Sequence, residues 1–118
     1  MSAAFFEPKE TVYTILSSVS DSVTVYQERP EVVKSLPSFT FRVSYNNPIM
    51  TVDKSIGYQD VEVIVDIWAE TSIESGTLLK ALVATMLDND FVLSFSSDVP
   101  DPGPEKISHV TTRFNFKV

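Results

Sequence analysis

His109 is the only histidine in the chain, and there is no cysteine. Those two facts bound the chemistry. Without a thiol, disulfides, thiolate metal sites and cysteine nucleophiles are excluded. His109 falls on the polar positions of an alternating segment near the C-terminus. A lone histidine there is more often a surface residue than a base or a ligand. A histidine-based zinc site or a catalytic triad lacks its parts.

The remaining candidates are carboxylates. Asp88, Asp90, Asp98 and Asp101 fall close together. A calcium loop needs oxygen ligands at fixed spacing and a closing glutamate. Asp88-x-Asp90 begins such a pattern, but Phe91 and Val92 follow and nothing closes it. The plainer reading is a helix end and a solvated loop. Glu62 and Asp66 share one side of a strand, where Arg42 and Arg113 of neighbouring strands can pair with them. With 3 glycines in all, no phosphate-cradling loop is spaced correctly. The sequence therefore predicts no enzyme, no cofactor and no metal.

Composition agrees with a folded, non-catalytic domain. The chain has 118 residues, of which 43% are hydrophobic. That is the size of one domain, 1–118, with enough apolar material for a core. The start, MSAAFFEP, lacks a basic region, and Glu7 and Pro8 close its short apolar run; it is not expected to be a signal peptide. No stretch approaches the roughly 20 apolar residues of a membrane span. The net charge is −7. Nucleic-acid binders cluster lysine and arginine, and no such cluster exists here.

The elements that would position any surface follow from periodicity. Val12, Ile15, Leu16 and Val19 recur at helical spacing over 9–19, with Pro8 in the first turn. Residues 22–27 predict a short strand. Residues 39–45 alternate, placing Phe39, Phe41, Val43 and Tyr45 on one side. Asn46-Asn47-Pro48 is expected to break that strand and open a long loop or arm, 46–59, carrying Ile49, Met50, Val52, Ile56 and Tyr58. Residues 60–69 form the clearest strand. Val61, Val63, Val65 and Ile67 make one face; Glu62, Ile64, Asp66 and Trp68 make the other. Thr71 and Glu74 form a capping box. The helix behind it carries a stripe of Leu79, Leu82, Val83 and Met86, widened by Leu78 and Leu87. A strand at 91–97, grouping Phe91, Leu93 and Phe95, and another at 109–118 complete the chain. The order is α-β-β-β-α-β-β. It predicts an α+β fold: an antiparallel-dominated sheet of four to five strands, with both helices packed on one face.

A sheet covered on one side leaves Ile64 and Trp68 on the other. Partial cover by a loop and contact with another subunit both account for them. The apolar residues of 46–59 also suggest a partner, most simply a second copy.

The sequence words VYTILSS, VTVYQERP, FTFRVSY, the long QDVEVIVDIWAETSIESGTLLKALVATMLDNDFVLSF and the final HVTTRFNFKV occur in this order. In order and length they resemble the tail terminator, or tail completion, proteins of long-tailed bacteriophages, also called head-to-tail joining proteins. The likeness spans nearly the whole chain. It implies a structural virion protein that assembles, commonly as a hexameric ring, to end tail-tube growth and join tail to head. Implied partners are other copies of itself, the tail tube protein and a head-completion or connector protein. DNA would pass through the ring without specific binding, past an acidic lumen that repels phosphate. Such a protein is made in the host cytoplasm and ends in the virion. By analogy, 46–59 is an arm reaching a neighbour or the tube. Interface residues expected from position and composition are Ile49, Met50, Val52, Ile56, Tyr58, Ile64 and Trp68. Other neck or tail-tube ring components share the same plan, and a small-ligand module using the sheet face around Trp68 is the alternative of a different class.

Overall fold

The computed structural model describes residues 7–27, 36–50, 56–99 and 107–117, with the side chains of 49, 50, 56–58 and 117 left aside. The elements are α1 (Pro8–Val19), β1 (Thr24–Gln27), β2 (Ser38–Met50), β3 (Ile56–Ala69), α2 (Ser72–Asp88), β4 (Val92–Val99) and β5 (Ser108–Lys117). The five strands form one mixed sheet in the order β1-β2-β3-β5-β4. Only β1 and β2 pair parallel; every other ladder is antiparallel. The α+β fold and element order expected from periodicity are those observed.

Each helix begins and ends for a local reason. The Glu7 carboxylate accepts from the Lys9 amide, and Pro8 occupies the first turn of α1. Thr71 Oγ1 accepts from the Glu74 amide, while Glu74 Oε1 accepts from the amide of Glu70. The box thus closes one residue earlier than the strict Thr71–Glu74 reciprocal pair. At the C-terminus of α2, Asp90 takes a left-handed φ of 69°. The Asp90 amide donates to Leu87 O and the Phe91 amide to Met86 O. This Schellman-type closure satisfies the last carbonyls and turns Phe91 into the core. Asp88 and Asp90 are therefore a helix end.

The core lies between the helices and one sheet face. Val12, Ile15 and Leu16 of α1 and Leu78, Leu82 and Met86 of α2 pack on Phe39, Phe41, Val61, Val63, Val65, Ile67, Val110 and Phe114. The buried stripe of α2 is Ser75, Leu78, Leu82 and Met86. Leu79 and Val83 flank it half-buried, and Leu87, expected to widen it, is exposed. Ser75 fits because its hydroxyl bonds both Ser72 O and the Ser108 hydroxyl. β3 and β4 run the same way with β5 between them, and α2 makes the crossover that parallel strands require.

Three expectations change. First, 46–59 is not a loop at its ends. β2 runs through Asn46, Asn47 and Pro48 to Met50, paired to Ile56–Val61 of β3. Residues 51–55, with Val52, lie outside the described residues. Proline is tolerated because, among the described residues, β1 pairs β2 only at 38–41, and β2 beyond Phe41 has a ladder with β3 alone. Second, a bulge at Ser44 reverses the alternation, so Tyr45 is opposite Glu62 rather than continuing the Phe39–Val43 side. Third, a bulge at Ser94 does the same in β4, placing Phe95 opposite Arg113 and away from Phe91 and Leu93. Period-two counting cannot register an extra residue, so it groups Tyr45 with Phe39–Val43 and Phe95 with Phe91 and Leu93.

Candidate interaction surface

The helices occupy one side of the sheet, and the other side is where the sequence placed its unexplained residues. Ladder partners share a face, so register maps this side row by row. Trp68 has Ser38 and His109 beside it. Asp66 has Thr40 and Thr111; Ile64 has Arg42 and Arg113; Glu62 has Tyr45 and Asn115. β4 adds Val99 beside His109, Phe95 beside Arg113 and Val92 beside Asn115.

Trp68 is only 5% exposed. The His109 ring stacks on it, centroids 3.8 Å apart and planes 15° from parallel. Its indole Nε1 donates to Thr40 Oγ1 at 3.0 Å, and Thr40 is itself buried. His109 Nε2 lies 3.1 Å from Asp66 Oδ1. The only histidine and the only tryptophan are thus locked together in a chain from Thr40 to Asp66 across β2, β3 and β5. That chain gives Trp68 an account within the subunit, with an indole partner satisfying the buried N–H. No sequence signal short of the β3–β5 register could have paired these residues.

Ile64 is 7% exposed and stands between its two arginine neighbours. Those arginines do not pair with Glu62 or Asp66 as expected. Among the described residues Asp66 contacts His109, a hydrogen bond whichever way the imidazole is protonated, and neither Arg42 nor Arg113 joins an ion pair. Register explains this, because both arginines fall in the Ile64 row. Arg113 instead lies over the Phe95 ring, 5.4 Å from its centroid. Phe95 is 48% exposed and Val92 59% exposed. The accessible apolar residues of this face are therefore Phe95 and Val92, which pattern reading missed, and not Ile64 and Trp68. The sequence gives no warning, because Leu93-Ser94-Phe95-Ser96 alternates as an unbulged strand would.

Two open depressions adjoin the face. One, about 400 Å³, is lined by Glu70, Ser72, Asp98, Val99, Ile107, Ser108 and His109. The other, about 530 Å³, is lined by Tyr45, Asp60, Asp90, Val92 and Asn115. Asp90 and Asp98 are thus at opposite ends of β4, too far apart to share an ion. Among the described residues no three histidine or acidic side chains converge on a metal position.

The final element is the β2–β3 ribbon. β5 stops pairing with β3 at Asp60, opposite Lys117, whereas β2 and β3 continue together through Pro48–Gln59 and Ile49–Tyr58 to Met50–Ile56. Gln59 anchors its base: it is buried, and its amide donates to Asn46 Oδ1 at 2.6 Å. No helix among the described residues is long and apolar enough to cross a membrane. No protein-family model matches the chain, and no curated protein matches it.

Proposed function

We propose that the chain is a self-associating structural subunit of a bacteriophage tail: a terminator or completion protein that forms a ring, ends tube growth and joins tail to head. The class rests on the resemblance of its sequence words to that family. The observation that supports an assembly role is the β2–β3 ribbon. Two strands alone are marginal in water. This ribbon extends past the last β5 pair, and its register positions hold Ile49, Met50, Ile56 and Tyr58. Apolar residues on a two-stranded projection gain most from a neighbour, and a second copy or the tube is the simplest neighbour. A net charge of −7 suits a passage through which DNA slides without sticking.

The small-ligand alternative loses its main support, because Trp68 is covered by its own neighbours. A different neck or tube ring component remains within the same class. Gene neighbourhood separates the two: a terminator gene is expected just ahead of the gene for the major tail protein.

The test is direct. Purified protein mixed with tail tubes is followed by sedimentation and electron microscopy. Rings that cap tube ends are expected; a strict monomer that leaves tubes unbound overturns the proposal. Ile49→Asp and Met50→Asp are expected to keep the native circular dichroism spectrum and lose assembly. Unfolding of either variant would show that the ribbon is part of the core.

A further inference from the structure

We infer that the helix-free sheet face, through Arg42, Arg113 and Phe95, docks on the acidic remainder of a second copy, so that the contact joins unlike surfaces. This rests on the self-association proposed above and names the surface that makes it.

Charge placement carries the inference. Arg42 and Arg113 flank Ile64, one on each side of β3, their backbones two strand spacings or about 10 Å apart. Both side chains are exposed, and neither has an ion-pair partner among the described residues. The carboxylates of the same face cannot reciprocate freely. Asp60, Glu62 and Asp66 are each half-buried, and Asp66 is held by His109. Among the described residues the exposed carboxylates lie elsewhere: Glu7 and Glu10 at the start of α1, Asp21 after it, Glu70 before α2, Asp88 and Asp90 at its end, and Asp98 on β4. A second copy therefore offers this face what it lacks, in a chain of net charge −7.

Geometry sharpens the point. Packing two of these faces on each other about a twofold axis would bring four exposed guanidiniums together. Packing the face on another part of the neighbour separates them and pairs them with carboxylates. Contacts between unlike surfaces build rings or filaments, whereas a twofold contact closes at a dimer. Phe95 adds an apolar anchor beside Arg113, and aromatic and arginine side chains are the residues that most often carry contact energy.

The experiment uses Arg42→Glu/Arg113→Glu in the full chain, with sedimentation velocity across a concentration series and circular dichroism as the fold control. The double variant is expected to keep the native spectrum, with its assembly midpoint raised by more than about tenfold. It keeps its acidic side, so it should also join wild-type assemblies and stop their growth when added substoichiometrically. Should charge reversal disturb the fold, Arg42→Gln/Arg113→Gln answers the same question. Wild-type protein that never assembles overturns the proposed function together with this inference. Wild-type protein that assembles while both double variants do so equally overturns this surface alone. The absence of cysteine allows a further check with Phe95→Cys: a disulfide between two copies at position 95 would show face-to-face packing and overturn the unlike-surface contact. Loss of duplex DNA affinity in the double variant, with assembly unchanged, would reassign the face to nucleic acid.

Discussion

The two faces of β3 are one strand under two sets of rules. On the helix side, Val61, Val63, Val65 and Ile67 are fully buried beneath α1 and α2, and shape and volume decide what fits. On the other side no described helix helps, yet Ile64 and Trp68 are almost as buried. There the described cover is lateral, from cross-strand neighbours. Trp68 depends on a ring stack and a hydrogen bond, and Ile64 stands between two arginines. Burial on this sheet is thus reached either by a layer above or by a row alongside. Only the second way leaves charged groups at the surface for a partner.

If that contrast holds, changes on the helix side should cost the most. Phe114→Ala, at a fully buried position under the helices, is expected to destabilise by about 3–5 kcal/mol. Leu82→Ala in α2 should cost about 2–5 kcal/mol by the same cavity argument. Denaturant midpoints with an unchanged m-value measure both, and a loss below about 1 kcal/mol in either would mean that the helix layer is not tightly packed. On the open face, Thr40→Val removes the acceptor of the Trp68 indole and should cost about 1–3 kcal/mol. The single tryptophan makes this visible in fluorescence: its emission should shift if the indole N–H turns to water. A neutral outcome would show that the hydrogen bond adds nothing to lateral cover. His109→Phe keeps a ring for the stack and gives up the Asp66 bond, so the loss should be smaller, about 1 kcal/mol. The smallest effect belongs to neither face. Gly76 is exposed within α2, and a methyl group there would meet nothing within 4 Å. Gly76→Ala should stabilise by about 0.5–1 kcal/mol, seen as a raised Tm without change in assembly.

Much of the fold was legible because it depends on local pattern. The valines of β3, the stripe around Leu82 and Met86, and the Thr71–Glu74 cap each state their structure within a few residues. The errors have two causes. Ser44 and Ser94 are extra residues that shift the phase of β2 and β4, and nothing in their own chemistry announces a bulge. Pro48 suggests a strand break, whereas a strand with one ladder among the described residues accepts it. Of the expected contact residues, Ile64 and Trp68 belong to the face predicted for them but lie beneath it. Phe95 and Arg113 reach its surface because of a phase shift that the pattern hides.

By itself, then, the sequence determined the class of the protein: an α+β fold, its element order, the Thr71–Glu74 helix cap, and the lack of thiol or paired-histidine chemistry. These depend on composition and on periodicities of 2 and 3.6 residues, both of which are local. Tertiary structure alone decided which strands lie side by side. That choice stacked the only histidine on the only tryptophan, tied it to Asp66, and left Arg42 and Arg113 without a carboxylate partner among the described residues. Register is set by turns, bulges and the packing of whole layers, so residues far apart in the chain meet for reasons that no short window contains.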